Sequence, residues 1–270
     1  MLSDSNINNI LDAAMSKTAD FAEVFYEETI SRGVSLLNGK VTSAGTNYDA
    51  GVGIRLMAGT NVVYVYSSDK DPDVLIKLAK EAADALKGNN KNEIIALQEK
   101  CFSTPSKIMI DPMKVPKSDM VDFILKASNY ASSYNPMITQ TTGSIAMGNR
   151  NIHIYNSRGF NKEESQSRIR LSFEVIATKD NEKQTGRIAP GTMCGYEFIN
   201  DYPIIEKTQE CCDSAIRMAG AGYAPSGRMP VILGNGFGGV IFHEACGHTL
   251  EATSVGIKSS PFTDKLGQQI

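Results

Sequence analysis

The sequence contains no tryptophan, only three histidines and no excess of basic residues: 27 lysines and arginines stand against 30 aspartates and glutamates. A net charge of −3 without a basic cluster argues against nucleic acid as a ligand. No apolar run approaches the roughly 18–20 residues that span a bilayer. We therefore expect no membrane segment and no contact with nucleic acid.

Regularly spaced cysteines are also missing. The five cysteines are an odd number without the spacing of a disulfide framework, and no charged-then-apolar leader opens the chain. We therefore expect a cytoplasmic protein with reduced thiols. Cys211 and Cys212 fall in a predicted helix at 204–221, where neighbours point about 100° apart, which favours small core residues over a redox pair.

The composition that is present, 41% hydrophobic and 21% charged, is that of a globular protein. Residues 6–16 have an apolar helical face. Strand-like segments lie at 21–29 and 33–43, and Asn38-Gly39, with extended residues on both sides, is a strong hairpin signal. Alternating runs predict further antiparallel strands at 139–148, 153–157, 164–179 and 183–189. Together these patterns predict an α+β fold of mixed and antiparallel sheets with packed helices.

Caps and alternation give more local predictions. Asp71-Pro72 begins a helix, with proline where a missing N–H is harmless, and Ser118 caps a helix that runs to about residue 134. Alternating valines and tyrosines at 61–67 predict a strand covered on both faces. The polar stretch 88–118, which contains three prolines, separates two units that we place at 1–104 and 105–270.

Two of the three histidines lie in one short motif, His243-Glu244-x-x-x-His248. Neutral imidazole is a good zinc ligand, and a carboxylate beside such a ligand is suited to be the general base for a metal-activated water. The motif predicts a zinc site with His243 and His248 as ligands and Glu244 as the catalytic base. The third histidine, His153, stands alone and is typical of a core or solvated side chain.

A spacing of five residues does not suit a regular helix. Residues five apart differ by about 140° around an α-helix, so the two imidazoles would not converge on one ion. A one-residue π-bulge absorbs the extra position, and Gly247 weakens the helix there. We predict an irregular helix between His243 and His248.

Catalytic zinc normally has three protein ligands, and this motif supplies two. Glu251 is a candidate either to coordinate the ion or to orient His248, and Asp264 is a weaker candidate ligand. Cys246 lies inside the motif but would point elsewhere on a helix, which favours a structural thiol.

This segment resembles the TldD/PmbA metalloprotease family, and in particular its TldD-type members. The resemblance rests on the run from Met229 through Glu251, on Gly51-Val-Gly-Ile-Arg55 and on Asn156-Ser-Arg-Gly159, and it covers nearly the whole chain. It implies a cytoplasmic zinc peptidase that cleaves unstructured peptides, with the ligands and catalytic acid/base named above. It also implies a homo- or hetero-oligomer with a PmbA-type partner.

In the family the third ligand is a cysteine far downstream in a longer chain. The resemblance therefore implies that residues 1–270 are an amino-terminal fragment whose second unit is truncated. We expect such a fragment to bind zinc loosely and to expose an apolar surface where the remainder would dock.

Two alternatives remain open. Gly234-Asn-Gly236-Phe-Gly-Gly239 satisfies G-x-G-x-x-G between an apolar run at 231–233 and a helix, as in dinucleotide-binding proteins. No alternating βαβ series surrounds it, however, and the ionisable side chains of the metal motif suit a buried crossover helix poorly. The other alternative is a non-catalytic scaffold whose sheet edges pair with extended peptides, any metal being structural.

Overall fold

The computed structural model describes residues 2–88, 95–99 and 107–269. Its helices and strands, in chain order, are α1 (Asp4–Ala14), β1 (Phe21–Leu37), β2 (Lys40–Ala58), β3 (Asn61–Ser67), α2 (Pro72–Ala85), β4 (Ile95–Glu99), α3 (Lys117–Tyr134), β5 (Ile138–Asn156), β6 (Arg158–Lys179), β7 (Glu182–Ile188), β8 (Gly191–Thr192), α4 (Glu197–Asp201), α5 (Ile204–Ala219), α6 (Val240–Phe242) and α7 (Ala252–Gly256). Short 3-10 turns lie at Pro112–Lys114, Gly236–Gly239 and His248–Leu250, and a π-turn lies at His243–Gly247.

The eight strands form one sheet in the order β3-β2-β1-β5-β6-β4, with β7 and β8 also paired to β6. The pairs are antiparallel except β4 with β6, which is parallel. This confirms the predicted α+β class. The long β1–β5 pairing makes the sheet continuous across the two predicted units. Their boundary near residue 105 lies outside the described residues and stays a prediction.

The tight turns of the sheet follow from residues that tolerate positive φ. Asn38 and Gly39 have φ of 49° and 74°, which confirms the predicted hairpin between β1 and β2. Gly59, with φ of 59°, turns the chain from β2 into β3. Strand β5 is longer than predicted. It is continuous where the sequence suggested two separate runs, because backbone pairing with β1 and β6 carries it through its polar middle.

Helices α1, α2, α3 and α5 lie on one face of the sheet. Val24 and Val34 are an even number of positions apart in β1 and so share a face, yet they belong to two separate apolar cores. The first core joins α1 and α2 to β1 and β2, and includes Ile7, Leu11, Val24, Ile54 and Leu75. The second joins α3 and α5 to β5 and β6, and includes Ile124, Ile145, Leu171, Phe173 and Cys212.

Two local predictions are wrong. The strand at 61–67 is not covered on both faces, because β3 ends the sheet order and helices cover only one side; Tyr64 and Tyr66 are 57% and 78% exposed. Ser118 does not cap α3, because the helix begins at Lys117 and has no side-chain cap. The hydroxyl of Ser118 donates to the carboxylate of Asp119 instead.

Other local predictions are confirmed. Asp71 caps α2 by accepting from the backbone N–H of Asp73 at 2.9 Å. Cys211 and Cys212 are buried in the second core, and burial raises their pKa values to about 12 and about 11, so both thiols stay protonated. Within the described ranges no helix has the length and apolarity to cross a membrane.

Candidate metal centre

The histidine motif lies in a segment that follows α5 and is almost entirely at the surface. Of residues 221–269 only Ser260 is buried, and the apolar side chains of Ile232 and Phe237 are 98% and 89% exposed. This segment therefore exposes apolar side chains next to the motif, and the docking of a further part of a longer chain on them stays a prediction.

The helix is irregular where the sequence predicts it. The backbone N–H of His248 donates to the carbonyl of His243, which closes a π-turn over five residues instead of an α-turn over four. The two histidines thus lie one turn apart on the same side. Their ring centroids are 4.4 Å apart, with the planes inclined at 68°.

The carboxylate of Glu244 lies close to the two rings. One ligating atom from each of His243, Glu244 and His248 lies within 4.8 Å of the others. The nearest carboxylate oxygen of Glu244 is 3.9 Å from Nε2 of His248. The structure therefore brings together the three residues that the motif singled out, and all three side chains are exposed to solvent.

Glu251 contacts the other side of the His248 ring. Its Oε1 lies 2.7 Å from Nδ1 of His248, and this hydrogen bond raises the pKa of the imidazole above its ordinary value. Of the two roles left open by the sequence, this contact favours orienting the ring. Asp264 and Cys246 are outside the group of ligating atoms found among the described residues, and Cys246 is an exposed free thiol.

His153 is held by contacts with neighbouring side chains of the sheet. Its Nε2 lies 2.7 Å from Oδ1 of Asn161, and its Nδ1 lies 2.8 Å from the hydroxyl of Tyr155, whose ring stacks on it. Burial raises the pKa of Tyr155 to about 12, so its phenol remains a donor to His153. The sequence did not predict this cluster, although the spacing of two along a strand places His153 and Tyr155 on one face.

The glycine motif has no dinucleotide-binding context. Residues 231–233 are not a strand, and the glycines form a 3-10 turn before the three-residue helix α6. The G-x-G-x-x-G signal requires a strand before it and a helix after it. In this described segment the first element is missing and the second is short, which argues against that alternative.

Comparison with known sequence families gives three matches along the chain. Residues 22–86 match domain 1 of the PmbA/TldA metallopeptidases, residues 110–222 match their central domain, and residues 226–270 match their C-terminal domain. The motif lies in the third match.

Individual relatives are distant but aligned over the whole chain. A metalloprotease TldD homologue from Haemophilus influenzae is 24% identical over 280 residues, covering 100% of this chain and 57% of its own. A metalloprotease of Methanocaldococcus jannaschii is 26% identical over 275 residues, covering 100% and 59%. This chain thus spans less than two thirds of the length of the curated relatives it matches.

Solved structures show the same fold. A putative modulator of DNA gyrase from Bacteroides thetaiotaomicron superposes with a TM-score of 0.74 at 16% identity, covering 100% of this chain and 62% of that one. TldE from Thermococcus kodakarensis superposes with a TM-score of 0.65 at 13% identity, covering 96% and 58%.

Proposed function

Because the chain belongs to the PmbA/TldD metallopeptidase family, we propose that it carries the histidine ligands and the proton-transfer group of a zinc peptidase for unstructured peptides. His243 and His248 are the proposed ligands, and Glu244 is the proposed acid/base. The observation that supports this most directly is the π-turn, since it places both imidazoles and the carboxylate together despite an unfavourable spacing.

The donor set suits zinc. Imidazole nitrogen binds zinc at about 2.0–2.1 Å, so two imidazole nitrogens on one ion are at most about 4.2 Å apart. The present spread of 4.8 Å is close to this limit, and exposed side chains can close the difference by small rotations. His243 and His248 would hold the ion, with coordination positions left for a further ligand and for substrate.

The proposed chemistry divides between the metal and the chain. When bound, zinc would act as a Lewis acid, which polarises the peptide carbonyl and lowers the pKa of water. Glu244 accepts the proton of the attacking water and donates it to the leaving amine. Its carboxylate is 65% exposed and so is open to both water and peptide. Glu251 remains on the far side of His248 and takes no part in proton transfer.

The third protein ligand and the partner are part of the proposal. The resemblance supports a downstream cysteine ligand in the longer relatives, and an oligomer with a second copy or with a PmbA-type chain in the cytoplasm. One of the similar solved structures is a protein named TldE.

Zinc content and peptide cleavage test the proposal. We expect the 270-residue chain to bind zinc weakly, and a chain extended to the length of its relatives to hold one zinc ion by elemental analysis. His243→Ala and His248→Ala should each remove the metal from the extended chain. Glu81→Gln, an exposed carboxylate on α2, is the matched control and should retain zinc and activity.

Glu244→Gln separates a peptidase from a peptide-binding scaffold. We expect this variant of the extended chain to keep its zinc and its affinity for an unstructured peptide, while hydrolysis falls by about 10²-fold or more. The measurement is peptide binding and cleavage side by side. Unchanged cleavage, or loss of binding together with cleavage, would contradict a proton-transfer role for Glu244.

A further inference from the structure

The carboxylate of Glu251 does not cap the helix that it precedes. Glu251 occupies the position before α7, where a polar side chain commonly accepts a backbone N–H of the first turn. Here no side-chain cap hydrogen bond forms, although the backbone carbonyl of Glu251 accepts from Val255 at 3.0 Å. The side chain instead turns back to His248, with Oε1 2.7 Å from Nδ1. Its contact is therefore with the ring and not with the helix.

The two nitrogens of His248 face different groups. Nδ1 faces Glu251, and Nε2 lies 3.9 Å from the carboxylate of Glu244, which belongs to the candidate metal group. A neutral imidazole carries one N–H, and the hydrogen bond made by that nitrogen decides which nitrogen keeps a lone pair. A proton on Nδ1 donated to Glu251 leaves Nε2 free to bind a metal.

We propose that Glu251 is a positioning residue: it holds His248 in the tautomer protonated at Nδ1 and fixes the ring so that Nε2 is presented to zinc. Partners of this kind orient metal-binding histidines, and their removal typically costs about 10–100-fold in metal affinity. The zinc part of this inference rests on the proposed function, whereas the tautomer part is a property of the metal-free chain.

The tautomer is measured by NMR on the metal-free 270-residue chain, labelled with 15N-histidine, at an alkaline pH where imidazole is neutral. We expect His248 of the wild type to carry its proton on Nδ1. Glu251→Ala should abolish this preference, and Glu251→Gln, whose amide oxygen still accepts, should restore it. Glu81→Gln is the control, because it removes an exposed carboxylate on α2, outside the motif segment.

Zinc affinity is measured on the same four proteins by competition with a chromophoric chelator. We expect Glu251→Ala to weaken binding by about 10–100-fold, Glu251→Gln to weaken it less, and Glu81→Gln to leave it unchanged. Glu251 is exposed, so none of these variants removes a core contact, and circular dichroism checks the fold.

Two results would overturn the inference: a wild-type tautomer in Glu251→Ala, or equal zinc affinities in Glu251→Ala and the wild type. Failure of the proposed function is a different result. If the wild-type chain and its extended form bind no zinc, the metal site itself is wrong, and the NMR experiment still decides whether Glu251 sets the tautomer of His248.

Discussion

Glu197 is a nearly buried carboxylate that fastens the segment before α3 to α4. It accepts backbone N–H groups from Ile110 at 2.9 Å, from Gly195 at 2.8 Å and from Met109 at 3.4 Å. Burial raises the pKa of Glu197, but donation by Ile110, Gly195 and Met109 outweighs it and holds the pKa below its ordinary value. The charged form is therefore the one that stabilises the fold.

We expect Glu197→Gln to destabilise the chain by about 1–3 kcal/mol at neutral pH, because an amide NH₂ would face backbone donors. Since the folded-state pKa of Glu197 is lowered, its contribution is complete above the ordinary carboxyl value and is lost as the pH falls through the folded value. Urea denaturation at pH 7 and pH 3 measures this. Glu206→Gln, at an exposed site, is the control. A difference between wild type and Glu197→Gln that grows with acidity would contradict the argument.

Gly247 is a single residue on which the π-turn was predicted to depend. An added Cβ would come no closer than 3.5 Å to any neighbouring atom, namely Nδ1 of His243, and the backbone φ of −57° is helical. Alanine is therefore sterically accepted, and its higher helix propensity favours the helical segment by about 1 kcal/mol.

We expect Gly247→Ala to keep zinc affinity within a few-fold of the wild type, as measured by chelator competition. A ten-fold or larger fall in zinc affinity would mean that the turn needs the backbone flexibility of glycine, as the sequence predicts, and not only the absence of a side chain.

At the scale of elements, the turn signal and one of the two cap signals were reliable because they depend on a few adjacent residues. Asn38-Gly39 and Asp71-Pro72 were recognised from their own conformational preferences. The exposure of one face of β3 was not predictable from its alternation, because it depends on which face of the sheet the helices cover, a property of elements outside β3. Ser118 failed for a different reason: α3 begins one residue earlier, at Lys117, so Ser118 lies inside the first turn and not at the capping position.

The contact between β7 and α5 leaves no room for a side chain at Gly186. A Cβ there would lie 1.9 Å from the carbonyl oxygen of Cys211, which belongs to helix backbone and cannot rotate away. We expect Gly186→Ala to lower the free energy of unfolding by about 1–3 kcal/mol, measured by thermal or urea denaturation.

Gly45→Ala is the matched control, because nothing lies within 4 Å of a Cβ in the middle of β2. It should be neutral or slightly stabilising, since alanine loses less backbone freedom on folding. Equal destabilisation by both substitutions would mean that the packing of α5 on β7 is looser than described.

For the whole molecule, the sheet with its two cores and the motif segment differ in how they are held. Residues 221–228 are exposed and lie outside any helix or strand, whereas β1, β5 and β6 pair over almost their whole length. We expect limited trypsin digestion to cut after Arg228 before it cuts within any of these three strands, with the products identified by mass spectrometry. An early cut inside β5 or β6 would contradict this order.

The histidine motif could be read from sequence because its residues are adjacent, and its five-residue spacing even identified the irregular turn. What the sequence left open was the side of the ring that Glu251 contacts, since this depends on the 3-10 turn and the kink into α7 that follow the π-turn.

The π-turn has a consequence for how such a motif can arise. Deleting Cys246 would leave His-Glu-Ala-Gly-His, a four-residue spacing that brings two imidazoles together on an ordinary α-helix, as in the widespread H-E-x-x-H zinc helix. The two motifs thus differ by a single residue, and in both of them the two imidazoles lie close together. A residue inserted into such a helix and absorbed as a bulge therefore leaves the two imidazoles close together.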